Sequence, residues 1–238
     1  MSNVSINQPA KPKLDQSGIS RMILAPLFIL LMGALLFGSA GRLDWWGAWV
    51  FLALFLLLMV VAVIWSLRNN PELINERGRV AENTKWWDKI ILMLYTLLLL
   101  GSMVVAGLDA RFGWSDMPPG IQILGGVSLL AAIGMVYWAA TSNAYLSTVV
   151  RIQDDRGQQV VTTGPYQYVR HPMYSAMFFF FLGIPLLLGS WWALLPAALN
   201  IVLFIVRTAL EDRTLQVELP GYTEYAQCVR YRLIHGVW

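Results

Sequence analysis

The chain has 238 residues, of which 57% are hydrophobic and only 13% charged, with a formal net charge of +3. A soluble domain carries roughly 25% charge and 45–50% apolar residues, so this composition excludes a disordered chain and an ordinary soluble fold. One cysteine, Cys228, excludes an intrachain disulfide; with only His171 and His235 beside it the usual His/Cys metal set is missing, and neither a metal nor a nucleic-acid partner is expected.

Residues 1–20 are expected to form a flexible polar arm with little to bury. Apolar runs of bilayer length then cover 22–41, between Arg21 and Arg42, and 45–67, ending at Arg68. Gly38-Ser39-Ala40 looks like a small-residue cleavage site. The apolar core before it is about 20 residues, against roughly 7–15 for a signal peptide, so an uncleaved anchor is expected. In the loop 68–88, Asn70 suits the cap, Pro71 the first position and Gly78 the end of a short interfacial helix.

Further runs cover 90–108 and 121–141. The last block, 173–210, would reach about 57 Å as one helix, nearly twice the roughly 30 Å of hydrocarbon. Gly183, Pro185, Gly189, Ser190 and Pro196 interrupt it, so it reads as a hairpin turning near Ser190–Trp192. The expected fold class is all-α. It is a polytopic transmembrane helical bundle of five to six spans, one domain over 21–238, with a short cytoplasmic C-terminal helix.

With six spans, fifteen of the seventeen Lys and Arg fall on one side and only Arg42 and Arg111 on the other. The positive-inside rule then puts both termini and both long loops in the cytoplasm. The tryptophans agree, with Trp45, Trp46, Trp49, Trp114, Trp191 and Trp192 at the outer interface and Trp65, Trp86, Trp87 and Trp138 at the inner one.

Two polar segments adjoin the last spans, where function is sought first. In the first, Gly164-Pro165 makes a turn, and Pro172 restricts His171 and fits the first turn of the next helix. That helix start presents free N–H groups and a positive dipole end, with Arg170, His171, Tyr166, Tyr168 and Tyr174 beside it. The corner suits a ligand with a carboxylate and flat or cationic parts, and equally a basic-aromatic anchor at the headgroups. In the second, Arg207 and Glu211 share a helix face, as do Glu211 and Glu218. This reads either as a solvated helix end with an Arg–Glu pair or as carboxylates aimed at a cationic ligand. After Gly221, residues Tyr222, Tyr225, Val229 and Leu233 fall at helical spacing.

Gly164-Pro165-Tyr166-x-x-Val169-Arg170-His171-Pro172-x-Tyr174 resembles the first signature of the isoprenylcysteine carboxyl methyltransferase family. Glu211-Asp212-x-x-Leu215, Gly221-Tyr222-x-x-Tyr225 and Val229-x-Tyr231-Arg232-Leu233 resemble its second, and the related phospholipid methyltransferases share the pattern. The likeness covers roughly 150–238, with a looser one at Asn70-Pro71-Glu72-Leu73 and Glu76-Arg77. Asp212 stands where a second Glu is common, Ser175-Ala176 where a Gly is common, and His235 where a Pro is usual.

The resemblance implies a multi-span enzyme using S-adenosyl-L-methionine, its cofactor pocket at the cytoplasmic ends of the last helices. On that reading Pro172 and His171 receive the cofactor's carboxylate or ribose end and Glu211 its amine or ribose hydroxyls. Tyr166, Tyr174 and Tyr225 face the adenine or sulfonium; Gly164, Pro165 and Glu218 complete the set. Arg170 or Arg207, with Glu211, act on the acceptor, a carboxylate, thiol or amine of a small amphiphile entering from the lipid bilayer. The compact form fits a bacterial inner-membrane enzyme. Two competing readings are a membrane lipid or sterol reductase using NADPH and a non-catalytic transporter or scaffold. A transporter is expected to place polar or broken helices at mid-membrane, which these spans lack.

Overall fold

The computed structural model describes residues 14–78 and 83–238. Among them the chain is all helical, without strands. Its helices are α1 (Gln16–Ala40), α2 (Trp46–Asn69), α3 (Glu72–Gly78), α4 (Trp86–Phe112), α5 (Pro119–Ser142), α6 (Pro172–Leu188), α7 (Leu194–Glu218) and α8 (Tyr222–Cys228). Single 3-10 turns occupy Asp154–Arg156 and Gly164–Gln167. Five helices, α1, α2, α4, α5 and α7, are long and apolar enough to cross a membrane. The sixth, α6, has 17 residues, about 25 Å at 1.5 Å per residue, the lower limit for a span.

The block 173–210 does break into a hairpin. Gly189, at φ 76°, takes the left-handed conformation that closes α6, and α7 begins five residues later. The last residues of the expected polar arm belong to α1. Asp15 caps α1 by accepting the Gly18 amide at 3.0 Å, so residues 16–20 are helical. The rest of the arm with Lys11 and Lys13, and also Arg79, lie outside the described residues.

Helix α5 lies antiparallel against α6, and small residues set the distance. A Cβ on Gly125 would overlap the Leu187 backbone nitrogen, and one on Gly183 would come within 2.8 Å of Leu129 Cγ. The Ser128 hydroxyl donates to the Phe179 carbonyl at 2.8 Å across the same seam. The core of the bundle joins Met32 and Leu36 of α1, Phe51 of α2, Met103 of α4, Phe181 and Ile184 of α6 and Phe204 of α7. Outside it, Leu30, Leu57, Ile123, Val202 and many other apolar side chains stay exposed, as a lipid-facing surface requires.

Polar contacts close the two ends of the bundle. At one, the buried Asp109 carboxylate accepts the Ser115 amide at 2.7 Å, the Ser115 hydroxyl at 2.6 Å and the Ser190 hydroxyl. This ties the end of α4 to the α6–α7 turn. At the other gather the start of α1, all of α3 and α8, and the loop 143–171. The chain therefore begins and ends its described part at one end, and that end gathers the polar residues singled out in the sequence.

Candidate active site

Charges withdrawn from water persist only when paired, and at this end each buried carboxylate has its cation. Asp88 of α4 binds Arg207 of α7, with Nε 2.7 Å from Oδ1, and also accepts the Val150 amide at 2.7 Å. Glu76 of α3 takes Arg151 through two parallel bonds of 2.9 and 2.8 Å. Hydrogen bonds to Glu76 and then Asp155 hold the Arg151 guanidinium firmly charged, its pKa above the ordinary value. These pairs fasten the loop 143–171 to α3, α4 and α7.

Asp212 is the second anchor. Its carboxylate lies 2.8 Å from Arg170 Nε and accepts Arg232 Nε at 2.9 Å, Gln216 Nε2 at 2.8 Å and the Tyr222 hydroxyl at 3.0 Å. His171 Nε2 is 3.4 Å away. The Arg170 guanidinium donates further to the Ala226 and Val229 carbonyls. The backbone follows the same seam. The Arg170 and His171 amides donate to the Tyr231 and Arg232 carbonyls at 2.9 Å each, and Ser175 Oγ donates to the Leu233 carbonyl.

Inside this frame is a cavity of about 1030 Å³, at the upper limit of ordinary small-molecule sites. Tyr166, His171, Tyr174, Glu211, Tyr222 and Tyr225 line its polar end. The Tyr174 hydroxyl donates to Glu211 Oε2 at 2.5 Å. The His171 ring lies parallel to that of Tyr174, centroids 5.7 Å apart, and the Arg207 guanidinium sits 5.1 Å over the Tyr174 ring. The Tyr225 hydroxyl donates to the Tyr166 carbonyl at 2.6 Å. Burial pushes the Tyr166 phenol up to about 12 and raises those of Tyr222 and Tyr225, so all three are neutral near neutral pH. From there the cavity runs between apolar side chains of α1 and α2, including Leu27, Phe28, Leu58 and Met59. Aromatic walls with one carboxylate suit a cationic, flat ligand at one end, and the apolar run suits a hydrocarbon tail.

The residues singled out in the sequence divide into three groups. Tyr166, Arg170, His171, Tyr174, Arg207, Glu211 and Tyr225 all line this one cavity. Gly164, Pro165 and Pro172 shape it without lining it. Gly164 has φ 61°, and a Cβ there would overlap Ser142 Oγ, so the turn lies directly on the end of α5. Glu218 stands apart, outside the lining, with its carboxylate 2.7 Å from Lys85 Nζ.

Three local expectations need correction. Arg207 pairs with Asp88 rather than Glu211, because α4 supplies a fully buried carboxylate that needs a cation. The amides preceding α6 are taken by the C-terminal tail, and Pro172 has none, so the helix start is not the open N–H cluster expected. The C-terminal helix stops at Cys228, because Tyr231 and Arg232 offer their carbonyls to Arg170 and His171 rather than to a helix. Helix α3, expected as a short interfacial helix, also covers the cavity, since Leu73, Ile74, Asn75 and Glu76 are buried and Ile74 and Arg77 are in the lining.

Sequence reasoning passed over Asp212 and Tyr222 as site residues. Successive helix residues point about 100° apart, so Asp212 cannot share the aim of Glu211. That geometry was the available signal. Among the described residues, no group of three or more His, Cys, Asp or Glu is placed to hold a metal ion.

Residues 121–218, from α5 to the end of α7, match the family model of the phospholipid methyltransferases, which indicates a membrane methyltransferase. The chain is also 27% identical over 173 residues, 71% of its own length and 96% of the relative's, to the uncharacterized protein YpbQ of Bacillus subtilis (strain 168). The matched segment contains the first signature whole, and the second only as far as Glu218.

Proposed function

From the premise that residues 121–218 carry the phospholipid methyltransferase pattern, we propose that this chain is an S-adenosylmethionine-dependent methyltransferase of the membrane. Its acceptor is the carboxylate, thiol or amine of a small amphiphile, and its polar end faces the cytoplasm, a reading supported by the excess of Lys and Arg in the loops of that side. One observation carries the reading. Glu211, His171 and Tyr174, from two distant stretches, line one cavity that runs on into apolar walls.

The donor set fits the cofactor. Glu211 has one oxygen held by Tyr174, which leaves the other to accept an ammonium or ribose hydroxyl. Tyr166, Tyr174, Tyr222 and Tyr225 offer aromatic faces to a sulfonium, where a cation–π contact contributes about 0.5–2 kcal/mol. When bound, the cofactor supplies an electrophilic methyl carbon and departs as a neutral thioether. The chain's own task is alignment: the rigid frame around Asp212 and Asp88 holds the aromatic walls, and the apolar run orients the acceptor. Beyond His171, whose Nε2 meets Asp212 and the Tyr222 hydroxyl, and the Glu211 carboxylate, the described lining holds no obvious base. An acceptor already ionised needs none.

Calorimetry on detergent-solubilised protein with S-adenosylhomocysteine and, separately, NADPH tests the reading. Saturable binding of the first alone is expected. Binding of NADPH alone would replace it with a reductase.

A further inference from the structure

The cavity wall built by α1 and α3 carries two guanidiniums, Arg21 and Arg77, that no carboxylate of the described residues pairs with. Glycines decide how close these helices come. A Cβ on Gly18 would overlap Asn75 Oδ1, and one on Gly78 would overlap the Ser17 carbonyl and stand 3.2 Å from Arg21 Cβ. Asn75 clamps the contact, its side chain accepting the Asp15 amide and its carbonyl the Ser17 hydroxyl, each at 3.1 Å. Arg21, one turn after Ser17, and Arg77, next to Gly78, are thereby held together, and both line the cavity.

Among the described residues no carboxylate pairs with either guanidinium. Glu76 is engaged by Arg151, Asp15 by the cap of α1, and Glu72 accepts from Asn75. Arg77 Nη2 is buried and has no hydrogen-bond acceptor among the described residues. Buried donors are almost always satisfied, so an open one in a cavity wall marks a place for an acceptor that is not protein. Burial and the neighbouring Arg21 bring the Arg77 pKa down to about 10, an effect that an anion seated there reverses. The adjoining lining, Leu24, Ala25, Met59 and Val63, is apolar.

We propose that Arg77 and Arg21 form an anion subsite for the carboxylate or phosphate head of an amphiphile whose tail lies along the apolar faces of α1 and α2. The guanidinium fork matches either oxyanion. Identifying this amphiphile as the methyl acceptor rests on the methyltransferase reading; the subsite does not.

The test is binding of radiolabelled hexadecanoate to the full chain in nonionic-detergent micelles, displaced by hexadecyl phosphate, hexadecanol or inorganic phosphate. Hexadecyl phosphate is expected to compete well, hexadecanol about ten-fold less well, the worth of one charge-assisted hydrogen bond, and inorganic phosphate not at all. Arg77→Gln removes the preference for the acid over the alcohol, Arg77→Lys recovers part of it, and S-adenosylhomocysteine affinity is unchanged in both. Equal competition by hexadecanol, or an undiminished preference in Arg77→Gln, overturns the proposal. Displacement by inorganic phosphate as strong as by hexadecyl phosphate assigns the site to a free anion and overturns the amphiphile. A parallel loss of S-adenosylhomocysteine binding in Arg77→Gln assigns it to the cofactor and also overturns it. If wild-type protein binds hexadecanoate with this preference but no S-adenosylhomocysteine, the methyltransferase reading fails and the subsite stands.

Discussion

Asp212 lies 2.8 Å from Arg170 Nε, 42 residues earlier in the chain, and both side chains are buried. This pair joins the two polar stretches that frame the cavity. Arg232, Gln216 and Tyr222 complete the shell around the same carboxylate. Removing one partner of a buried pair leaves the other charge stranded, at a cost of about 3–5 kcal/mol. Asp212→Asn is therefore expected to lower stability by that order, measured as the unfolding midpoint in detergent. A midpoint within error of wild type would mean that the shell is not structural.

Glu211, one residue away, is expected to behave differently. It is half-buried, and among the described residues its hydrogen-bond partner is the Tyr174 hydroxyl, from which an amide oxygen also accepts. Glu211→Gln should leave the unfolding midpoint in place and weaken S-adenosylhomocysteine binding ten-fold or more, about 1.5–3 kcal/mol for a charge-assisted bond. Unaltered affinity would remove Glu211 from the cofactor site. His171→Ala is a less clean variant. Its ring touches Asp212 and Tyr222, so stability and binding should fall together. Arg42, exposed at the opposite end beside Asp44, is the control expected to change neither.

The α5–α6 seam makes a prediction about backbone distance. Gly125→Ala pushes a methyl into the Leu187 backbone and should destabilise by about 1–3 kcal/mol, the usual range for overpacking. Gly134→Ala, on the same helix with open space where its Cβ would stand, should be neutral or slightly stabilising. Equal effects of the two substitutions would show that the seam is looser than described.

Alkaline pH probes the tyrosine wall. Folding raises the Tyr166 phenol from its ordinary 10.0 to about 12 through burial. The folded state therefore holds this proton more tightly than the unfolded one. Its contribution to stability is complete below pH 10 and is lost as pH rises from 10 to 12. Tyr222 and Tyr225 act in the same direction. In a series of unfolding midpoints from pH 8 to 12, Tyr166→Phe should show a shallower alkaline decline than wild type. A steeper or identical decline would place the Tyr166 hydroxyl in water.

Much of this protein was legible without coordinates. A run of apolar residues long enough to span hydrocarbon must be a helix, since no other open structure satisfies its backbone there, and the breakers at Gly189 and Ser190 divided the last block correctly. The motifs around His171 and Glu211 likewise marked the end of the bundle where the cavity lies, because charged groups are excluded from the spans and gather where water meets them.

Tertiary structure alone decided which charge meets which. Helix periodicity relates Arg207 to Glu211, four residues on. It carries no information about Asp88 on another helix, whose burial without a cation would cost far more than an exposed pair repays. The same holds for Glu76 with Arg151 and for Asp212 with Arg170 and Arg232. Local spacing determined the helices and their faces; pairing across distant segments followed from desolvation, which acts only once the helices have packed.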